Sequence, residues 1–310
     1  MAAAFLFIGG VGVVKFMKGK EVESQVSYNE VVESVPEAAV EIAAEPTIDE
    51  AESPMTFTPI VADLSADVDQ IDRLFTTGPN KLPIVETVKY KSRVDWIQGR
   101  PAWIADYASH YKTSRHFIAR SLNKKRDYFT QKVSSSDTFN VLRTDKDIRF
   151  HFVVDMTQCK MWFYYLDEET GDCELLKTYR VGLGAPDANA PSGTLTPLGK
   201  FTLEDKIAIY KPGIEGYVGN EKVEMVQIVG TRWIPFGYGF GIHAVPHLPD
   251  SETGEYREQT DSIGKYASNG CVRLQTDDME EIFSIVITRP TTIEIVKEYQ
   301  SSETLKDTGS

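Results

Sequence analysis

Residues 268–274 read Ser-Asn-Gly-Cys-Val-Arg-Leu, so that Cys271 directly follows Gly270 and precedes Arg273 by two positions. A thiol is mostly protonated near neutral pH, and only its thiolate is an effective nucleophile. A nearby imidazole and a cation would activate it. Because glycine lets the backbone approach a reacting carbonyl closely, N–H groups near Gly270 and Cys271 could receive a developing oxyanion. The stretch therefore predicts a cysteine nucleophile at Cys271.

Two further motifs precede this stretch in the chain. Gly241-Ile242-His243-Ala244 places a histidine at the end of an aromatic and glycine-rich strand, and Thr196-Pro197-Leu198-Gly199-Lys200-Phe201 reads as a turn before a strand. A lone histidine in such a strand is more often structural. Beside a reactive cysteine, however, His243 can take the thiol proton and later return it to a leaving amine.

These three motifs occur in the order typical of one family. Residues 148–296 resemble the YkuD-type L,D-transpeptidase catalytic domain, whose pattern is a TPxGxF turn, an IHG-like histidine and a final SHGC(I/V)R block. The resemblance implies a β-sandwich-like domain in which Cys271 and His243 face each other across a cleft. It also implies acyl transfer without metal, nucleotide or other cofactor.

The same resemblance implies a substrate and a role in cell-wall biogenesis and cell shape. The cysteine would attack the carbonyl of the third residue of a peptidoglycan stem peptide, a meso-diaminopimelate, and release the fourth, D-Ala. The side-chain amine of another stem would then capture the acyl-enzyme and form a 3-3 cross-link. Two alternatives remain open, namely a carboxypeptidase that uses water as the acceptor and a wall-binding protein without activity.

Several neighbouring positions complete the expected site. The planar fork of Arg273 suits a substrate carboxylate, and Ser268, Asn269, Gly270 and Ala244 are expected to orient the reacting groups. Asn269 stands where the family has a second histidine; it can donate a hydrogen bond but cannot shuttle a proton, and it is the only hint of lost activity. Ala244 replaces a small Gly or Ser, a mild change if only its backbone carbonyl orients the imidazole.

The interval between His243 and Cys271 is 27 residues, longer than is typical of the family. The polar stretch 249–261, Pro-Asp-Ser-Glu-Thr-Gly-Glu-Tyr-Arg-Glu-Gln-Thr-Asp, is the expected insertion. We predict that it forms a surface loop beside the cleft and gates substrate. His247 falls in the same loop and is a weaker alternative base.

The sequence pattern of residues 146–298 predicts a mostly β catalytic domain. Aromatic and branched residues predict strands at 148–155, 159–166 and 175–181, with a turn at 167–172. One helix is predicted at 276–287 and a final strand at 292–296. His151 alternates into the first strand as a packing or surface residue. Three cysteines are too few and too scattered for a zinc site, and Cys159 and Cys173 are not expected to pair, since Cys173 should lie opposite about Tyr165.

Residues 82–145 predict a small α+β module of strand, helix, helix and strand, with strands at 94–98 and 139–142. This order resembles a degenerate LysM module and implies glycan contact. A plain helical spacer and a helix-turn-helix compete with it, because basic residues surround the second helix. No base-reading pattern accompanies that charge, so nucleic-acid binding is not expected.

The net charge of -13 is concentrated near the N-terminus. Residues 21–72 hold fourteen acidic residues and no Lys or Arg, the composition of a disordered, self-repelling linker. Residues 1–20 begin with an uncharged apolar run that predicts a membrane anchor. Residues 299–310 are expected to form a flexible tail. Together these segments predict an enzyme of the bacterial envelope, on the periplasmic side and tethered to the inner membrane.

Overall fold

A computed structural model describes residues 67–123, 133–205, 207–218 and 220–303. The predicted anchor at 1–20, most of the predicted linker and the end of the predicted tail lie outside these ranges. Within them, no helix combines the length and the apolar character needed to cross a membrane.

The described helices are short, and most of the regular structure is strand. The helices are α1 (Asp72–Phe75), α2 (Ile104–His110), α3 (Arg115–Asn123), α4 (Val226–Val229) and α5 (Thr276–Val286). The strands are β1 (Val85–Lys89), β2 (Thr138–Leu142), β3 (Ile148–Asp155), β4 (Lys160–Asp167), β5 (Asp172–Arg180), β6 (Leu183–Gly184), β7 (Gly199–Thr202), β8 (Ala208–Ile209), β9 (Glu215–Val218), β10 (Glu221–Glu224), β11 (Arg232–Gly237), β12 (Phe240–Ala244), β13 (His247–Pro249), β14 (Tyr256–Glu258), β15 (Tyr266–Ser268), β16 (Val272–Leu274) and β17 (Thr291–Val296).

A five-stranded sheet in the order β5-β4-β3-β17-β7 forms one layer of the domain that the sequence places at 146–298. Strands β3, β4 and β5 form an antiparallel meander, and β17 pairs parallel to β3. Because successive side chains point to opposite faces, Phe152 and Phe163 enter the main core while Val153 and Trp162 enter a second cluster. Both faces of the sheet are therefore covered, which explains the nearly continuous apolar sequence of β3 and β4.

A four-stranded sheet in the order β16-β12-β11-β8 forms the second layer. Ile234, Ile242 and Val272 point from it into the same core that receives Phe152. Helix α5 adds Met279, Ile282 and Phe283 to that core. The predicted mostly β class, with a small α+β module upstream, is confirmed.

Two cysteine predictions can be compared directly with the strand register. Cys173 lies opposite Leu166, one residue from the expected Tyr165. Cys159 and Cys173 are buried free thiols. The meander turn holds the two cysteines at different levels of the sheet, and no disulfide forms between them.

The prediction of a strand at 94–98 is wrong. The partner of β2 is β1, with Val85 opposite Leu142 and Lys89 opposite Thr138. Residues 94–98 instead form turns in which the Trp96 ring stacks on His110 at a centroid distance of 4.3 Å. Packing of this aromatic side chain on α2 outweighs the local strand preference of the segment.

The predicted linker and tail are each shorter than expected where they adjoin the domain. Asp69 bridges Lys177 of β5, the Gln70 N–H donates to the Leu176 carbonyl at 2.9 Å, and Ile71 is buried. At the other end, the hydroxyls of Tyr299 and Tyr164 lie 2.6 Å apart, and Ser302 is buried. Residues 67–72 and 299–303 therefore belong to the folded unit.

Candidate active site

Parallel pairing of β12 with β16 brings the histidine and cysteine motifs together. Ile242 pairs with Val272 and His243 with Arg273. Continuing this register by one residue places Cys271 beside Gly241, whose backbone hydrogen-bonds to the thiol. Because Ile242 and Val272 face the core, alternation puts His243, Cys271 and Arg273 on the opposite face.

The spacing along these two strands fixes the separation of the candidate base and nucleophile. Neighbouring strands lie about 4.8 Å apart and two residues advance about 6.6 Å, so the Cα atoms of Cys271 and His243 are separated by roughly 8 Å. Between them, Gly241 carries no side chain. The two functional side chains thus share one face with no side chain in the intervening position.

The imidazole of His243 is buried, with 3% of the residue exposed. Its Nδ1 lies 2.7 Å from the carbonyl oxygen of Ala244, which can only accept, so Nδ1 carries the proton and Nε2 keeps its lone pair. Burial lowers the pKa of His243 to about 4; the Arg273 charge also lowers it, while the carbonyls of Ala244 and Val229 partly oppose the shift. The imidazole of His243 is therefore neutral at physiological pH.

The thiol of Cys271 is partly buried and also neutral at rest. Burial raises its pKa, and the Gly241 backbone and the Arg273 charge only partly offset this effect. Because the thiol pKa is raised and the imidazole pKa is lowered, the resting pair is not an ion pair. A nucleophilic role for Cys271 would require proton transfer from sulfur to His243 during the attack.

Trp233 is a site residue that the sequence did not identify. It pairs with His243 across β11 and β12, and the two rings stack at a centroid distance of 5.7 Å. A Cβ at Gly241 would lie 2.8 Å from the Trp233 indole. Only a glycine at 241 therefore admits the tryptophan above the histidine. The alternation of β11 was the available signal, since it puts Trp233 on the same face as His243.

The loop before β16 is held by hydrogen bonds within its own motif. The Gly270 N–H donates to Ser268 Oγ at 3.2 Å, and Ser268 Oγ donates to the Cys271 carbonyl at 2.7 Å. The Gly270 N–H is thus already hydrogen-bonded to Ser268, whereas the sequence predicted that it would be free to donate to an oxyanion. Ser268 acts here on the backbone geometry around Cys271.

The first motif lies next to this loop. Thr196 is fully buried and accepts the Gly184 N–H at 2.7 Å. A Cβ at Gly270 would lie 2.8 Å from the Leu195 carbonyl and 2.2 Å from the Phe240 ring. The turn at 196–201 therefore supports the backbone beside Cys271, a role that its sequence alone did not indicate.

The remaining predicted site residues differ in accessibility. Asn269 is exposed. The Arg273 guanidinium donates to the Ala267 carbonyl at 2.7 Å, while its buried Nε has no partner among the described residues. Burial lowers the pKa of Arg273. The hydrogen bond to Ala267 therefore holds one side of the Arg273 guanidinium. The Arg273 side chain lies on the same sheet face as the thiol.

The predicted insertion forms a β-hairpin in place of an irregular loop, with His247 opposite Glu258 in β13 and β14. His247 Nε2 lies 2.8 Å from the Thr276 hydroxyl. His151 is buried, with Nδ1 2.7 Å from the Thr292 hydroxyl. Of the histidines described in this domain, His243 alone shares the face of Cys271. No group of His, Cys, Asp and Glu side chains in the described ranges is arranged to hold a metal ion.

Residues 149–295 match the family model for the YkuD L,D-transpeptidase catalytic domain. This domain is a member of the YkuD family. A curated relative is YqjB, a candidate L,D-transpeptidase of Bacillus subtilis (strain 168), which is 31% identical over 108 residues covering 32% of this chain and 51% of that protein. The chain thus spans about half the length of the curated relative it matches.

Solved structures give weaker likenesses to this chain. The helical cell shape determining protein Pgp2 of Campylobacter jejuni is 14% identical, with a TM-score of 0.33 and 49% of each chain covered. L,D-transpeptidase 1 of Mycobacterium tuberculosis is 17% identical, with a TM-score of 0.26, and 51% of this chain and 70% of that chain are covered. The assignment to the YkuD family rests on the family model and the motifs.

Proposed function

We propose that this chain is a peptidoglycan L,D-transpeptidase that forms 3-3 cross-links through an acyl-enzyme on Cys271. The supporting observation is that Cys271 and His243 share one sheet face of a YkuD domain, with Gly241 between them. A neutral imidazole beside a neutral thiol is suited to a reaction in which proton transfer and nucleophilic attack occur together.

In the proposed acylation, the proton of Cys271 passes to Nε2 of His243 as sulfur attacks the carbonyl of the third stem residue. The carbon–nitrogen bond to D-Ala then breaks, and the imidazolium protonates the leaving amine. In the second half, the amine of another stem attacks the thioester and transfers a proton to His243. The carbon–sulfur bond breaks and the thiol regains that proton.

The neighbouring residues have supporting roles in this proposal. Arg273 attracts a carboxylate of the wall peptide to the face that carries the thiol. Ser268 and Gly270 hold the backbone before Cys271, and the Ala244 carbonyl orients the imidazole. Asn269 is exposed at the mouth of the loop, where it would meet the acceptor in place of the histidine usual in the family.

We also propose a location and a tether. An enzyme that cross-links stem peptides works in the bacterial envelope, here on the periplasmic side. Residues 1–20 would anchor the enzyme to the inner membrane, and residues 21–72 would form a linker that lets the domain reach the wall. Glycan contact through residues 82–145 is part of the same proposal.

The first test is intact-mass analysis of the full chain after exposure to a carbapenem. A working nucleophile acquires one covalent adduct, Cys271→Ala acquires none, and the control Cys159→Ala still acquires it because Cys159 lies in the core. His243→Gln should slow adduct formation about 100-fold to 10,000-fold, the usual contribution of a general base. Absence of an adduct on the unmodified chain would favour the inactive wall-binding alternative.

The second test separates cross-linking from trimming. The enzyme is incubated with tetrapeptide-containing muropeptides, and the products are resolved by mass. New 3-3 dimers support transpeptidation, whereas tripeptides without dimers would assign the carboxypeptidase activity instead.

A further inference from the structure

The hairpin formed by β13 and β14 is a folded element with its own closing interactions. Asp250 accepts the N–H groups of Glu252 and Thr253 at 3.0 and 2.9 Å, and its carboxylate lies 3.3 Å from the Arg257 guanidinium. These contacts organise the tip of the hairpin. They leave Tyr256, on β14, to make a contact outside it.

The Tyr256 hydroxyl donates to Glu224 Oε2 at 2.5 Å. The same carboxylate accepts Gln227 Nε2 at 2.6 Å through Oε2, and its Oε1 accepts the Gly213 N–H. Glu224 therefore joins three segments: the inserted hairpin, the turn before β9 and the start of α4. These hydrogen bonds lower the pKa of Glu224, so the carboxylate that joins them is ionised at neutral pH.

Helix α4 connects this carboxylate to the catalytic base. It begins two residues after Glu224 and packs against β13. At its other end the Val229 carbonyl is near enough to the His243 imidazole to raise the pKa of that ring. Gly230, the residue after α4, has a φ of 63° and packs tightly against Ala244. A Cβ added at Gly230 would lie 2.6 Å from the Ala244 Cβ. A shift of α4 would therefore move the backbone that packs against Ala244, next to His243.

We propose that Tyr256 is a positioning residue, which through Glu224 holds α4 so that Gly230 packs against Ala244, the residue that follows His243. The insertion thus acts on the base through α4, in addition to any effect on substrate entry. The contribution of this hydrogen bond to catalysis rests on the proposed function. The effect of Tyr256 on the position of α4 does not rest on the proposed function, and it can be measured without substrate.

Three full-length variants test the inference. Tyr256→Phe removes only the hydroxyl, and Glu224→Gln removes the charge while keeping the shape of the side chain. Arg257→Gln is the matched control, because it breaks an ion pair within the same hairpin and leaves the Tyr256 contact intact.

Hydrogen exchange measures the fixing of α4. We expect amide exchange in residues 226–230 to be about tenfold faster in Tyr256→Phe, as local opening becomes easier, and unchanged in Arg257→Gln. Equal exchange in the unmodified chain and Tyr256→Phe would overturn the inference, whether or not the chain is a transpeptidase.

The rate of carbapenem acylation measures the effect on the base. We expect the apparent second-order rate constant to fall about tenfold in Tyr256→Phe and at least as far in Glu224→Gln, which also weakens the bonds from Gly213 and Gln227. The double variant should fall no further than Glu224→Gln alone, because both changes weaken the Tyr256 contact. The acid limb of the rate–pH profile should move to lower pH, since the Val229 carbonyl raises the pKa of His243. Arg273 of β16 and the Cys271 thiol, which face His243 on the same side, are unaltered by these substitutions.

The outcomes are separable. Faster exchange in α4 with an unchanged acylation rate and acid limb would make Tyr256 a purely structural residue and reject its positioning role. Equal losses in Tyr256→Phe and Arg257→Gln would assign the effect to the hairpin as a whole. If the unmodified chain forms no adduct, the proposed function fails, while hydrogen exchange still decides whether Tyr256 fixes α4.

Discussion

At the scale of single residues, burial has opposite effects on the pKa values of the two reacting groups. It lowers the pKa of His243 and raises that of Cys271, so both are uncharged at neutral pH. The sequence predicted the pair, with a nearby imidazole and cation activating the thiol. The structure shows that desolvation of the thiol outweighs the Arg273 charge. This balance depends on packing depth, which no local motif encodes.

The neutral pair predicts a specific pH dependence. The base works only when unprotonated, and the pKa of His243 is about 4. Activity should therefore be lost as pH falls through about 4, and not near the ordinary histidine value of about 6.5. Arg273→Gln removes a positive charge that lowers this pKa, so the acid limb should move to higher pH. Rates of carbapenem acylation between pH 3.5 and 8 measure both, and a limb near 6.5 in the unmodified chain would contradict a buried neutral base.

At the scale of elements, the sequence predicted best where long apolar runs decide the structure. Strand β3 was predicted with its observed bounds, because Ile148–Asp155 is buried along nearly its whole length. The segment 94–98 was wrong, since Val94 and Ile97 look like strand residues but pack as a turn near α2. The hairpin at 247–258 was missed because its strands are only three residues long and mostly exposed. Short elements depend on contacts from distant parts of the chain.

The loop that carries the nucleophile is the element most sensitive to a small substitution. Gly270 has a φ of 131°, and an added Cβ would meet Phe240 and the Leu195 carbonyl. Gly270→Ala should therefore displace Cys271 and lower the acylation rate at least about 100-fold, since a misplacement of about 1 Å can have that effect. Gly237→Ala is the control, because Gly237 has a φ of 113° and open space around it. Similar losses in the two variants would show that backbone strain, and not the clash beside the thiol, is responsible.

At the scale of the molecule, the upstream module and the YkuD domain share one core among the described residues. Phe117 of α3 and Leu142 of β2 belong to the same buried cluster as Phe150 and Phe283. The His116 ring packs edge-on against Phe283 at 5.3 Å, and Arg289 donates to the Arg143 carbonyl at 2.9 Å. The composition of 82–145 predicted a separate module because it has its own helices and strands. Contacts between distant segments were not visible in that composition.

A shared core predicts that the module and the domain unfold together. Phe117→Ala should lower the free energy of unfolding of the whole described unit by about 3–5 kcal/mol, because the side chain is fully buried. Trp103→Ala in the same module should cost about 1 kcal/mol or less, since Trp103 is 49% exposed. Urea denaturation of the full chain, followed by far-UV circular dichroism and by alkylation of the buried Cys159 and Cys173, measures both regions. Two separate transitions in Phe117→Ala, with the cysteines still protected after the first, would show that the YkuD domain is stable without the module.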